Sequence, residues 1–433
     1  MSISSIAQRI ETTAAVSRLR SWTEKALDGD ESPVLHVTGT AGSIPAFLLL
    51  HLHTSPGAPL CCLVPDEDEA AYLQSDLEQL VADPEADILR VPATQKKPYD
   101  DEQIADSTPL IERADALQRL AEGFEGILVT SVQAAGELVP PPEAVQRETL
   151  TVRKGEEISM DGLVERLQDQ GFSIVEFVDE PGEMARRGGI LDVFPYAGSY
   201  PVRVDFFGDE IDGLREFDPQ TQRSVSRLTT ARLVPNLERE EAAQGSIPVF
   251  DYLPSDTVLA TVDESRTRES VQEQYDTATA NYQKRLDQIE EADEDEEEPP
   301  PPDQRFLDRP ALEQLLERHP RLLFGTFAES TPTNGTPSDT LEIGADPQPS
   351  FNSQMDLVRE RLDENGDRDL DTFILCDSHG QSSRLRDLLE SEIDHGLARL
   401  VVESLHEGFE WPDAKLAVYT DHQIFNRYHR PST

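Results

Sequence analysis

Gly39, Thr40, Ala41, Gly42 and Ser43 stand where a phosphate-cradling loop would stand, after an apolar run at 34–37 that reads as a strand and ahead of an apolar helix. A working loop of this kind needs a lysine on the β and γ phosphates and a Ser or Thr hydroxyl on magnesium. Here Gly42 occupies the lysine position. Backbone amides at a helix start can hold an anion, but the charge of a triphosphate would go without its cation. The loop therefore reads as a relic of a nucleotide site, and no cofactor is expected. Asp263 and Glu264 follow an apolar run at 258–262, as the magnesium-binding acids of such ATPases do. Without the lysine they complete no catalytic set and read as a vestigial pair in a solvated turn. Asp421 and His422, after the run 416–419, are read the same way. No catalytic residue is assigned.

Metal and thiol chemistry find no footing either. The 9 histidines include no His-x-x-x-His pair and the 3 cysteines no Cys-x-x-Cys, so no metal is expected. Cys61 and Cys62 lie inside an apolar strand pattern, where a thiol behaves as a small hydrophobe, and a reducing compartment is the natural setting.

A different chemistry, that of protein recognition, is carried by residues 179–225. Its centre reads Gly-Glu-Met-Ala-Arg-Arg-Gly-Gly-Ile-Leu-Asp-Val-Phe-Pro, followed by Pro-Val-Arg-Val-Asp-Phe-Phe-Gly-Asp-Glu. Period-two alternation puts Val202, Val204 and Phe206 on one strand face and Arg203, Asp205 and Phe207 on the other. If the valine face is core, a guanidinium and an aromatic ring stand outside together, the composition of a binding hot spot. Gly188 and Gly189 are expected to bulge the preceding strand and aim Arg186 or Arg187 at the same surface. Alternatively, Phe207 tucks under a neighbouring element and the arginines pair with local acids. The pattern alone leaves both arrangements open.

These residues need elements to hold them. Helical spacing over 6–27, 69–81 and 111–120 alternates with strand-like runs at 34–37, 60–64, 88–91 and 127–130, which predicts a parallel α/β unit over 1–148. From 149 to 235 the pattern changes to an α+β module: strands at 150–153, 174–178, 190–194 and 202–207, and a helix over 160–170 capped by Ser159. Residues 236–345 return to the first unit with the strand 258–262 and a long polar helix over 269–289. Within them, the acidic and proline-rich run 290–302 reads as a linker. A small α/β unit is expected over 346–433. With 433 residues, several separate cores are expected.

Charge narrows the partners. There are 85 acidic against 38 basic residues, only 6 of them lysine, for a formal net charge of −47. Such a surface repels a phosphate backbone, so duplex binding by this chain alone is not expected. Acidity spread through all segments is also the mark of proteins adapted to molar salt, where screening makes self-repulsion tolerable. Apolar runs are far shorter than the roughly 20 residues of a membrane span, and no leader pattern opens the chain. A soluble cytoplasmic protein is expected.

The stretch 179–225 closely resembles the UvrA-binding domain shared by UvrB and the Mfd family of bacterial transcription-repair coupling factors. The resemblance runs along nearly the whole chain through residues 37–43, 97–101, 127–135, 258–265 and 405–425. It implies a degenerate P-loop, helicase-like parallel-sheet domain (1–148, completed by 236–345), an inserted UvrA-binding domain (149–235) and a small α/β domain (346–433). It names UvrA as the partner, with Arg187, Arg203 and Phe207 as the contact and Arg186, Asp192, Asp205 and Arg215 as weaker candidates. UvrB keeps the loop lysine; its loss is what the coupling factors show. The resemblance further implies that this is the front portion of such a factor. RNA polymerase and double-stranded DNA would then be bound by regions beyond this stretch, the latter through an ATP-dependent translocase motor. The docking face would be masked until polymerase is engaged. The run 290–302 is not part of the family pattern. Two other readings remain at this stage: an active UvrB-like, ATP-dependent damage-loading enzyme, and an acidic nucleic-acid mimic.

Overall fold

A computed structural model of the chain describes residues 2–29, 32–94, 98–99, 108–237, 245–292, 298–325 and 338–427. Of the landmark 97–101 only 98 and 99 lie among them. Within the run 290–302, residues 293–297 lie outside them, and residues 290–292 finish a helix instead of starting a linker.

The apolar runs of the first unit assemble into a seven-stranded parallel sheet in the order Ser338–Glu342, Val34–Thr38, Arg321–Gly325, Val258–Val262, Leu60–Val64, Ile127–Ser131, Ile88–Val91. A strand such as Leu-Cys-Cys-Leu-Val carries no polar alternation because both faces of a parallel sheet are covered. Leu60, Cys62 and Val64 pack with the helices Ile3–Glu11, Ala14–Asp28, Ile44–Thr54 and Glu67–Leu80. Cys61 and Leu63 face the opposite layer, with Leu117 of helix Thr108–Ala121, Val271 of helix Glu264–Ala292 and Leu315 of helix Arg309–Leu316. The adjacent cysteines therefore point into different cores, and burial pushes the Cys61 thiol up to about 12, which leaves it inert.

The chain leaves this unit at strand Leu150–Arg153 and returns at Thr230–Leu233, and these two pair antiparallel, Leu150 opposite Leu233. Between them lies helix Met160–Asp169, capped by the Ser159 hydroxyl accepting from the Gly162 N–H. A six-stranded sheet follows, in the order Ser224–Leu228, Glu210–Phe217, Val202–Phe207, Ile190–Val193, Glu183–Arg187, Ser173–Ile174. All neighbours are antiparallel except the last pair. Three of these strands, Glu183–Arg187, Glu210–Phe217 and Ser224–Leu228, were not among those expected, because their charged residues hide the alternation. The run expected as a strand over 174–178 pairs only at Ser173–Ile174.

A third sheet of five strands runs Asp346–Pro347, Phe409–Trp411, Leu416–Thr420, Asp371–Leu375, Ala398–Val401. One face has its own core of Val358, Leu362, Ile374, Leu385 and Tyr419. The other face does not: Phe373, Leu375, Phe409, Trp411 and Val418 share one apolar cluster with Ile6, Ile10 and Phe47 of the first unit. Phe47 and Phe409 meet edge to face with ring centroids 5.9 Å apart. First and last sheets are thus welded through a common core, which the expectation of separate cores did not foresee. No helix among the described residues is long and apolar enough to cross a membrane.

Both tryptophans report on that weld, Trp411 inside it and Trp22 packed against it. Phe409→Ala should cost about 3–5 kcal/mol through the cavity it leaves. In urea titrations the midpoint should fall while tryptophan fluorescence and helical circular dichroism still change together; separated transitions would show that the two sheets fold independently.

Candidate protein-docking site

Alternation in Val202–Phe207 resolves with the valine face as core. Val202 and Val204 are buried with Met184, Leu191, Val193, Ile211 and Leu214 over helix Met160–Asp169, and Phe206 packs against them. Arg203, Asp205 and Phe207 consequently lie on the outer face. Register places Asp192 beside Arg203 and Ile190 beside Asp205, and it pairs Arg187 with Ile190, so Arg187 shares that face.

Asp192 organises the face. Its carboxylate has no exposed surface. Oδ1 accepts from Arg203 Nε at 2.6 Å, and Oδ2 accepts from Arg203 Nη2 at 2.8 Å and also from Arg187 Nη2. Arg203 Nη2 also donates to Gln222 Oε1 at 2.9 Å, and the guanidinium lies 4.2 Å over the buried ring of Phe217. The Arg187 guanidinium lies 4.7 Å over Phe177. Two cations on one buried anion leave a net positive charge at the surface, in a chain that is otherwise strongly negative. Farther across the face, Arg215 Nη2 donates to Asp205 Oδ1 at 3.1 Å, and Gly213 opposite leaves room for that carboxylate.

Phe207 differs from its neighbours. It is 82% exposed, while the Arg203 side chain is only 13% exposed. The second open alternative therefore holds for the arginines, which do pair with local acids, and the first holds for the ring. A free ring on the same face as a pre-organised guanidinium pair is suited to bind a protein surface: it loses little entropy on contact, and the arginines are already held in place.

Two glycine turns set this geometry. Gly188 and Gly189 form a two-residue hairpin turn between Arg187 and Ile190, with Gly188 at φ 60°, so the expected bulge is absent there. A Cβ on Gly189 would stand 3.0 Å from the Phe206 carbonyl oxygen, which accepts no substitution easily. The register shift in this region falls instead between Ile211 and Gly213. Gly208 at φ 66° opens the matching turn after Phe207. Of the two arginines expected at this surface, Arg187 shares the outer face, and strand alternation sends Arg186 to the opposite side. There it pairs with Asp161 and lines a cleft with Gly188, Phe206 and Asp209.

Sequence reasoning missed three exposed apolar side chains of this module, Phe177, Ile174 and Val225, and the exposed Arg227, which pairs in register with Arg215. The available signal was an apolar residue set among charged ones, which by itself carries no direction.

The loop at 39–43 sits at the end of Val34–Thr38 with Gly39 at φ 66° and Gly42 at φ 51°. It faces the turn at 406–408 of the last unit. Ser43 N–H donates to the Glu407 carbonyl at 3.1 Å, and the Ser43 hydroxyl accepts from the Glu407 N–H at 3.1 Å. Beside them Asp76, fully buried, accepts from the His406 N–H at 2.6 Å. Burial pushes the Asp76 carboxyl up to about 7, against the opposing pull of its bonds from Ser43 and His406.

Asp263 and Glu264 make local bonds. Asp263, at φ 51°, accepts from the Arg266 N–H at 3.2 Å at the start of helix Glu264–Ala292, and Glu264 accepts from Arg268 at 2.7 Å. Asp421 and His422 join Asp377 in the one group among the described residues whose donor atoms could surround a cation. Asp421 Oδ2, however, accepts from Arg427 at 2.8 Å, and His422 Nε2 lies 2.8 Å from the His406 carbonyl.

Comparison with known proteins places this geometry. The UvrB interaction domain family matches residues 150–238, the module that carries the outer face. A transcription-repair-coupling factor of Staphylococcus aureus (strain MRSA252) is 24% identical over 90% of this chain and 38% of its own length, and that of strain USA300 matches to the same extent. One from Myxococcus xanthus is 36% identical over 46% of this chain and 17% of its own. The chain thus spans about two fifths of the length of the Staphylococcus relatives. The chain is similar to the transcription-repair-coupling factors along nine tenths of its length, and its residues 150–238 match the UvrB interaction domain.

Proposed function

We propose that this chain is a docking fragment, cytoplasmic and without ATPase activity of its own, that recruits UvrA in transcription-coupled nucleotide excision repair. The observation that carries the reading is the outer face of the inserted sheet, which presents Phe207, 82% exposed at one strand end, and, on the same face, Arg187 and Arg203 on the buried Asp192. Phe207 and Arg187 make the contact, Arg203 supports it from beneath, and Asp192, Asp205 and Arg215 hold the arginines. Arg186, on the far side, is outside the contact. In the longer relatives, polymerase and duplex DNA are met by other parts of the protein.

Phe207→Ala should weaken UvrA binding by about 2 kcal/mol or more, roughly thirtyfold in Kd, and leave the melting temperature unchanged, because the ring rests on nothing. Arg203→Ala should do both: reduce binding and cost about 1–3 kcal/mol of stability, since it strips a buried carboxylate of two hydrogen bonds. Titration calorimetry with purified UvrA and thermal melts on the same samples read the two effects. Equal affinity for wild type and the Phe207 variant would sink the reading and favour an acidic mimic, whose binding DNA would compete away.

The charge of −47 spread over all segments supports adaptation to high salt. The melting temperature should rise from dilute buffer to about 2 M KCl, well past the ionic strength at which the Debye length shrinks to about 3 Å. A fall with added salt would remove the habitat reading and leave the acidity to be explained by a partner.

A further inference from the structure

We propose that the former phosphate loop has become a peptide-binding joint, occupied by the 406–408 turn of the last unit, so that nucleotide is excluded by occupancy as well as by the missing lysine. The inference rests on the reading of residues 39–43 as a lost nucleotide site. Every backbone polar group of that turn is accounted for. The His406 N–H donates to Asp76 and its carbonyl faces His422 Nε2. The Glu407 N–H donates to the Ser43 hydroxyl and its carbonyl accepts from the Ser43 N–H. The Gly408 N–H donates to Gln423 Oε1 and its carbonyl accepts from the Gln348 N–H. Three of these six bonds come from Ser43 and Asp76 of the first unit.

The amide at the start of helix Ile44–Thr54, which in a working loop would face a phosphate oxygen, here faces a peptide carbonyl. The hydroxyl that would sit on magnesium accepts a peptide N–H. Both replacements use the same donors and acceptors for a neutral ligand, which needs no lysine. Close approach explains the glycine at the lysine position. A Cβ on Gly42 would stand 2.4 Å from the Gly408 carbonyl oxygen and 2.9 Å from that of Glu407, and φ 51° adds strain for any other residue. Gly39 is under similar pressure from the Gly344 backbone N at 3.0 Å, on the strand of chain leading into the last unit. The ring of His406 also stacks on Tyr72, centroids 3.5 Å apart, on the helix that carries Asp76.

Restoring the lysine should therefore not restore the site. Gly42→Lys, titrated with Mg·ATP up to millimolar concentration, should show no saturable binding and should melt below wild type; micromolar binding by the folded variant would overturn the proposal. Hydrogen exchange on the unaltered chain gives a second test that does not depend on the folding of that variant. The amides of Ser43, His406 and Glu407 should exchange roughly a hundredfold or more slower than unstructured amides. In Ser43→Ala the Glu407 amide should lose most of that protection, with the first sheet still protected. Exchange of these amides at unstructured rates in wild type, or no change at Glu407 in Ser43→Ala, would overturn it equally. UvrA binding measured on the same samples separates this result from the docking reading, since the joint lies outside the inserted module.

Discussion

A carboxylate with no exposed surface is tolerable only when its oxygens are bonded and its charge is met. Asp192 satisfies this with two guanidinium groups, one bidentate from Arg203 and one from Arg187. Each guanidinium is braced from its other side by a ring, Arg203 by Phe217 and Arg187 by Phe177. The three elements that supply these groups, Glu183–Arg187, Ile190–Val193 and Val202–Phe207, are adjacent strands whose register brings the side chains together. A slip of one residue would turn the arginines into the core and the valines outward, so the register and the charge cluster enforce one another. The outer face keeps a local positive charge in a chain of −47 because the pairing is two to one.

Position along the strands depends on glycine. The turns at Gly188 and Gly208 lie at one end of the sheet, and each follows directly on a proposed contact residue, Arg187 and Phe207. Two-residue hairpins with a positive φ at the first central position follow the twist of the strands, and they hold strand ends rigidly without a long loop. A ring exposed at the tip of such a hairpin has few backbone conformations to lose on binding. Pre-organisation of this kind raises affinity without adding contact area.

Much of this was legible in the residues. Unbroken apolar runs such as 60–64 and 127–130 marked covered parallel strands, and period two over 202–207 named the two faces. What stayed hidden had physical causes. The strands Glu183–Arg187 and Glu210–Phe217 read as polar because charged residues are interspersed among their apolar ones. A Gly-Gly dipeptide fits a bulge and a hairpin turn equally well, and the choice decides whether Arg186 or Arg187 faces outward. The shared core was out of reach because an amphipathic helix such as Ile3–Glu11 shows that it covers something, not which sheets. The contact of Ser43 with Glu407 joins residues far apart in the chain, and no local pattern encodes it.

The architecture divides labour between a rigid base and a presented module. First and last sheets share a core that includes Phe47, Phe409 and Trp411, and the bonds of Ser43 and Asp76 to the 406–408 turn close the seam at its polar edge. The inserted module is entered and left through Leu150–Arg153 and Thr230–Leu233, which run side by side, Val234 and Tyr196 pack into the core of the base, and the module has a core of its own around Leu163, Leu191 and Val204. A module entered and left through neighbouring strands can be shaped by selection on its outer face without disturbing the base. The base, in turn, is held at this seam by contacts independent of the insert, because Ser43 and Asp76 bind the backbone of the 406–408 turn.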